Sequence, residues 1–482
     1  MTNSIFVKEL KRYTYNDLRN TFACENEEKL DKFIKKLKEF GILKVVKKSD
    51  INLDELQYED EVISEVSNSD DEISYVFKFV GVVTIGGILL KCYPKYISKE
   101  EPIAELKQIL KVIEKYNVNA QDIKMYNEGN FEGSYNLLAV ALYLLKDYYD
   151  YGIYRNDKEI IEINGQGEIN WNKTINETFM IISNNKPYYL ELQTKKHKNN
   201  DQDFFTRLHQ IILTKVSKEL GKVGIFELFD IISVELTDEE IDDIGDIDYI
   251  SYQITKEINV EFNTRKQNLL KLFYTYINEK KSVDDIECLS MYGTQNFNLV
   301  WEDVCKKIFD DKSRARIKDI DCSIKCENKD KLLIDIIEKP KWTYTENFAA
   351  YTLIPDIIAI YIDEQDKYFI ILDAKYYNPL LEKDKQPQSQ PGIESVTKQF
   401  LYQLAYKKII IDNNYKVINA FIFPTENDKI LDKSAVEMDM FTKEPLKLEP
   451  ILVKLIPAME AYDLYVQNKK FNIDKLFRLS FK

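Results

Sequence analysis

Asp356, Asp373 and Lys375 lie within two strongly apolar runs, in the stretch IPDIIAIYIDEQDKYFIILDAKYY from Ile354 to Tyr377. An unpaired buried carboxylate is expensive, so each acid there needs a partner, a metal or a task. The two runs read as the strands of a hairpin that turns at DEQD, residues 363–366. A register with Ile362 facing Lys367 sets Asp356 directly opposite Asp373. Opposed Cβ atoms in a ladder are about 4.5–5.5 Å apart, close enough for both carboxylates to hold one divalent ion. Lys375, two residues on, emerges on the same face as Asp373. Magnesium held there, or manganese, polarises a phosphoryl oxygen and lowers the pKa of its bound water. The lysine ammonium beside it orients that water or stabilises developing charge. This is a set suited to phosphodiester hydrolysis. The plainer alternative is a pair of Asp–Lys ion pairs spanning a hairpin, which is the commoner case for an isolated D…D-x-K match.

The elements around the hairpin bear on that choice. ESVTKQFLYQLAYKKI, residues 394–409, is an amphipathic helix with Val396, Phe400, Leu401, Leu404 and Ala405 on one side. Lys398, Gln399, Tyr402, Gln403 and Tyr406 cluster on another. Upstream, NLVWEDVCKKIFDD is a helix whose Glu302 could add a third carboxylate, and downstream KVINAFIFPT is a further strand. Helix, strand, strand, helix, strand is the order of an α/β nuclease core.

Composition narrows the remaining functions. The 482 residues suggest about three domains, and 44% hydrophobic content is enough for real cores. No run approaches the ~18 apolar residues of a membrane span, and MTNSIFVKELKRY has no secretory h-region. Six scattered cysteines suit reduced thiols in a cytosol. His197 and His209 are the only histidines, so carboxylates must carry any catalysis. No G-x-x-x-x-G-K-[ST] loop occurs, which predicts no nucleotide hydrolysis by this chain itself. The formal charge of −14 is unfavourable for holding DNA alone, because phosphate contacts supply most of such affinity. Much of the grip must then be borrowed.

Residues 1–48 run against that acidity, with 12 Lys/Arg against 7 Asp/Glu. TYNDLRNTFA reads as a helix capped by Thr14, NEEKLDKFIKKLKEFG as a second helix, and ILKVVKK as a strand. This resembles a winged-helix unit, with Lys35, Lys36 and Lys38 as DNA contacts; simple solvation of a helical face is the alternative. Residues 49–73 hold ten acids and no Lys or Arg, which marks a linker. ISYVFKFVGVVTIGGILLKCYPKY follows as a hairpin turning at Gly86-Gly87. The seven acids of LTDEEIDDIGDID (236–248) read as a solvated face and not as a metal site.

Pro355-Asp356, the DAK of 373–375 and the Gln/Tyr helix together resemble the PD-(D/E)xK nuclease superfamily. More closely, FVGVVTIGGILLKCYPKY, INGQGEINWNKTI, NFNLVWEDVC, LIPDIIAI, FIILDAKYY and NAFIFPT resemble the McrC-related nuclease subunits of LlaJI-type restriction systems. Beside the winged-helix-like unit at 1–48, which rests on charge and helix pattern alone, the resemblance implies a β-rich, motor-docking middle region at 74–285 and a PD-(D/E)xK nuclease domain at 286–482, a multidomain α/β (α+β) protein. It implies Asp356, Asp373 and Glu302 as metal ligands, Lys375 as the catalytic lysine and Gln399 as a further site residue. Lys398 joins the DNA contacts at the cleft. The implied partners are double-stranded DNA and a McrB-like AAA+ GTPase, whose GTP hydrolysis the chain stimulates; GTP enters only through that partner. Two other readings stay open: an inactive DNA-binding, GTPase-activating adaptor, and a stand-alone repair nuclease.

Overall fold

The computed structural model describes residues 3–47, 73–119, 136–156, 158–198, 203–278, 289–321, 323–362 and 366–477. They form two compact units. One joins the amino-terminal segment, residues 73–119 and the chain from Met291 onward; the other is built from residues 136–290.

The first unit is centred on a five-stranded sheet in the order Ile357–Ile362, Lys367–Ala374, Lys416–Thr425, Ile451–Pro457, Leu431–Val436. The first pair is the antiparallel hairpin, the next two pairings are parallel, and Leu431–Val436 returns antiparallel. A parallel pairing needs a crossover, and helix Ile393–Asp412 supplies it between Lys367–Ala374 and Lys416–Thr425. The strands are almost wholly apolar because both faces are covered. On one face Ile357, Ile370, Leu372, Ala420 and Ile422 pack with Trp301, Val304 and Ile308 of helix Phe297–Ile308 and with Tyr462 of helix Ala458–Val466. On the other, Ile358, Phe369 and Ile371 meet Tyr402, Tyr406 and Ile409 of the crossover helix.

That helix turns its Gln/Tyr side inward. Val396 and Phe400 are buried as expected, but so are Gln399, Tyr402, Gln403 and Tyr406. Polar side chains can be buried where partners exist. Tyr402 Oη donates to Ile354 O at 3.0 Å and Tyr406 Oη to Leu333 O at 3.2 Å.

A second sheet of the same unit runs Asn3–Lys8, Ile88–Tyr93, Val80–Ile85, Ser290–Thr294. Its hairpin turns at Gly86 and Gly87, with φ of 53° and 73°, the positive pair that a tight two-residue turn requires. Val80–Ile85 and Ser290–Thr294 approach so closely that a Cβ on Gly81 would lie 2.3 Å from Tyr292 O, and one on Gly293 2.3 Å from Val80 O. Only glycine fits at either place.

The segment boundaries differ from those expected. The three-stranded sheet beside helices Tyr15–Thr21 and Glu27–Glu39 has Ile73–Phe77 as its central strand, between Arg12–Tyr13 and Leu43–Lys47. The amino-terminal unit therefore does not close at residue 48, because its last strand needs that later partner for its backbone groups. The Thr14 cap is present as a reciprocal box with Asp17. Asn3–Lys8 pairs in parallel with Ile88–Tyr93, so residues 74–119 group with the carboxy-terminal sheet and not with 136–285. The acidic linker and the 285/286 boundary fall outside the described residues.

The second unit is mainly helical, where a β-rich region was expected. Its helices are Leu137–Tyr151, Phe204–Val223, Ile247–Ile258 and Thr264–Asn278. Among the described residues of 136–289, strands lie in small sheets within 158–198. His209 is fully buried, and its Nδ1 accepts the Tyr154 N–H at 2.9 Å. In the acidic 236–248 stretch, Glu239 pairs with Arg207 at 2.8 Å and Asp246 caps helix Ile247–Ile258. Among the described residues no helix is long and apolar enough to cross a membrane.

Candidate active site

The hairpin has the expected register, Ile362 opposite Lys367 and Ile357 opposite Leu372. Asp356 is the residue just before the first paired position. Its side chain takes over where the ladder stops: Oδ2 accepts the Ala374 N–H at 3.0 Å. The strand it introduces is pinned along its outer edge. Asp311 Oδ1 accepts the Ile358 N–H at 3.0 Å, and the Lys312 N–H donates to Ile358 O at 2.7 Å. On the parallel side the Lys375 N–H donates to Ile422 O at 2.9 Å, which carries the ladder past the end of Lys367–Ala374.

Asp373 is 6% exposed, and the Lys375 ammonium lies 3.0 Å from its Oδ1. Burial, then the charge of Asp373 and a hydrogen bond with it, push the Asp356 carboxyl up to about 8, against Lys375 and the Ala374 N–H. Burial works to lower the Lys375 pKa, but the Asp373 and Asp356 carboxylates outweigh it and hold the ammonium above its ordinary value. Two facing carboxylates so crowded that one prefers a proton form a pair that a cation would relieve. Their oxygens are the hard donors that magnesium or manganese takes.

The other expected site residues are placed differently. Glu302 is ion-paired with Lys306, and among the described residues no group of three or more His, Cys, Asp or Glu side chains could hold a metal ion. Lys306 does face this region, since Asp356 as well as Glu302 raises its pKa against burial. Gln399 lies beneath the site. Its Nε2 donates to Asn419 Oδ1 at 2.7 Å and to Ile371 O at 3.3 Å, and its Oε1 is buried without a partner. Lys398 is exposed and pairs with Glu394 at 2.6 Å. On helix Glu27–Glu39, Lys35 and Lys38 are exposed, while Lys36 pairs with Glu39 at 3.6 Å.

Two supports escaped the sequence reading. Asp311 was legible as an Asp-x-Ser turn, with both Ser313 N–H and Oγ donating to it. Glu9 carried no local signal, although its buried carboxylate receives the Tyr376 hydroxyl at 2.5 Å one residue from Lys375.

Residues 79–458 match the model of the LlaJI restriction endonuclease family. The chain belongs to that family. This LlaJI-family chain is 28% identical over 419 residues to the Type II restriction enzyme BsuMI component YdjA of Bacillus subtilis (strain 168), across 84% of this chain and 83% of that one. Among solved structures it aligns with a half-complex of Thermococcus gammatolerans McrB AAA+ hexamers with bound McrC, over 96% of this chain and 99% of that one, at 11% identity and a TM-score of 0.38. The McrBC complex of the same organism aligns over 62% and 84%, at 12% identity and a TM-score of 0.25.

The crowding of the carboxylates in the LlaJI-family chain has a measurable consequence. Without metal, Asp356 keeps its proton up to about pH 8 in the folded chain but loses it near pH 4 when unfolded. The folded state holds the extra proton between those values, so this group's contribution to stability falls as pH rises through that window. Asp373, Lys375, Cys305, Lys306 and Tyr402 are the titratable groups that feel it. Asp356→Asn removes the ionisation and keeps an acceptor for Ala374. In EDTA it is expected to melt higher than wild type, by a margin that grows from pH 5 to pH 8. Magnesium is expected to raise the wild-type melting temperature and leave the variant unmoved. Equal melting temperatures at pH 8 in EDTA would contradict the crowding.

Proposed function

We propose that this chain is the metal-dependent, DNA-cutting subunit of a restriction system, working with a McrB-like AAA+ GTPase. The observation that carries the reading is the meeting of Asp356 and Asp373 at the hairpin end with the Lys375 ammonium 3.0 Å from Asp373. Membership in a restriction endonuclease family supplies the reaction class, hydrolysis of DNA phosphodiesters. Asp356 and Asp373 are the residues proposed to hold magnesium, or manganese in its place. Such an ion supplies Lewis acidity toward a phosphoryl oxygen and a more acidic bound water.

The chain's own groups do the rest. Lys375 orients the attacking water and offsets charge as it develops on the phosphate. The bonds from Ala374 and Ile422 fix the strand end, so the two carboxylates and the ammonium need little reorganisation. Glu302 acts at one remove, through Lys306. Plasmid cleavage with and without magnesium, the motor and GTP tests the reading; cleavage that ignores metal would overturn it.

The motor is proposed on the resemblance to McrC-related subunits, with the region ahead of the nuclease sheet docking on it and stimulating its GTP hydrolysis. The absence of a phosphate loop and the charge of −14 support a division of labour in which the motor supplies energy and much of the DNA affinity. The purified chain is expected to show no GTPase or ATPase activity, and to raise the turnover of the motor when the two are mixed. Hydrolysis that co-elutes with this chain alone on a sizing column would refute this.

A further inference from the structure

We propose that the ribbon from Lys341 to Phe348, with the segment that follows it to Tyr351, is a DNA-contacting element. It would lay aromatic side chains against the duplex that flanks the scissile phosphate. The proposal rests on the nuclease reading above.

Strands Lys341–Trp342 and Asn347–Phe348 form a two-stranded sheet of their own. The ribbon is nevertheless defined: the Ala349 N–H donates to Pro340 O at 2.7 Å and the Thr345 N–H to Trp342 O at 3.1 Å. It presents Trp342 at 67% exposure, Tyr344 at 100%, Phe348 at 65% and Tyr351 at 83%. Single exposed aromatics are ordinary, but four within ten residues, with Trp342 and Phe348 on opposite faces of a self-paired ribbon, leave apolar side chains on both of its faces and mark an interaction site.

Its position in the chain selects the occupant. Thr352 Oγ1 donates to Glu338 O at 2.7 Å and closes the ribbon's base. The chain then passes Ile354, held by Tyr402, and buried Pro355, and arrives at Asp356. Tyr351 is five residues from Asp356, at most about 18 Å of extended chain. That is roughly half a turn of duplex, so DNA with a phosphate at Asp356 and Asp373 passes within reach of Tyr351 and of the base of the ribbon it adjoins. A two-stranded ribbon fits a DNA groove, and apolar side chains there contact bases or wedge between them. Lys339 and Lys341 are exposed at the base and, among the described residues, have no carboxylate partner, which suits phosphate contacts. In a chain of net charge −14, contacts of this non-electrostatic kind supply grip that the overall charge opposes.

The test uses the full chain in an Asp373→Asn background, so that bound DNA stays intact, with binding to a labelled duplex followed by anisotropy over a range of salt. Trp342→Ala/Tyr344→Ala is expected to weaken binding about tenfold or more at every salt concentration and leave the salt slope unchanged. Lys339→Ala/Lys341→Ala is expected to flatten the slope by roughly one to two. The positions are exposed, so folding is not at stake. Ultraviolet crosslinking to a duplex carrying 5-bromodeoxyuridine reads weak complexes as well, with adducts expected on the ribbon peptide. Unchanged affinity in the aromatic variant, or adducts only elsewhere, overturns the proposal. The ribbon then belongs to a second copy or to the motor, read by sedimentation and by co-elution. Metal-dependent cleavage by the wild-type chain remains a separate readout, so failure here is distinct from failure of the nuclease reading.

Discussion

Lys375→Ala is expected to lower metal-dependent DNA cleavage by roughly 10²- to 10⁴-fold, in the range of removing a positioned proton-transfer or charge-stabilising group. The ammonium sits 3.0 Å from Asp373 and is held charged by both carboxylates, while Lys306, which also faces the site, is engaged by Glu302. Asp373→Asn is expected to lose as much, because it removes one of the two acids that, among the described residues, meet at the hairpin end. The Asp373 change should not cost the fold. The metal-free site is already burdened with negative charge, enough to push Asp356 up to about 8, so neutralising Asp373 relieves repulsion. Cleavage and stability are thus expected to move in opposite directions for Asp373→Asn, a combination that misfolding cannot produce. Glu302→Ala, one step away through Lys306, is expected to cost less than about tenfold. Near-normal cutting by Lys375→Ala would reduce the hairpin to a structural ion-pair group. Cleavage rates at saturating magnesium, with melting curves on the same samples, decide it.

The hairpin was legible because a short loop fixes register, and register fixes which side chains meet. Asp356 and Asp373 face one another for that reason, although Asp356 engages the neighbouring strand through its side chain and lies outside the ladder proper. The apolar face of helix Phe297–Ile308 was legible in the same local way. Side chains whose partners are distant in sequence were not. Gln399, Tyr402 and Tyr406 look like a solvent-facing cluster until the sheet beneath supplies Asn419, Ile371 O and Leu333 O as partners. Helix position alone did not single out Lys306, one turn on, as the ion-pair partner of Glu302. The pairing of distant segments was hidden for a related reason. Composition marks where a linker runs, but whether Asn3–Lys8 or Ile73–Phe77 closes a sheet depends on pairings made from far along the chain.

Glu9 is the sharpest instance of such a distant partner, and it predicts a large loss of stability. It follows the strand Asn3–Lys8, yet it is 2% exposed and receives the Tyr376 hydroxyl at 2.5 Å and the Lys95 N–H at 3.3 Å. The Lys95 ammonium, 6% exposed, lies 4.7 Å from the centre of the Tyr376 ring, and Tyr96 and Tyr462 hydroxyls meet 2.9 Å apart in the same core. Glu9→Ala withdraws the acceptor from two buried donors. Unsatisfied buried donors place the loss at about 2–5 kcal/mol. Glu9→Gln keeps an acceptor and is expected to lose less, while Tyr376→Phe, which leaves Glu9 Oε2 with the longer Lys95 N–H bond, is expected to cost about 1–3 kcal/mol. Tyr376 adjoins Lys375, so loosening this contact frees the end of the strand that presents the ammonium. Cleavage by Glu9→Gln at a temperature where it is fully folded should therefore still fall below wild type. Urea unfolding of the three variants, with cleavage measured well below each midpoint, separates the two effects. Glu9→Ala within about 1 kcal/mol of wild type would mean that Lys95 and Tyr376 find other partners, and that the amino-terminal segment does not brace the site.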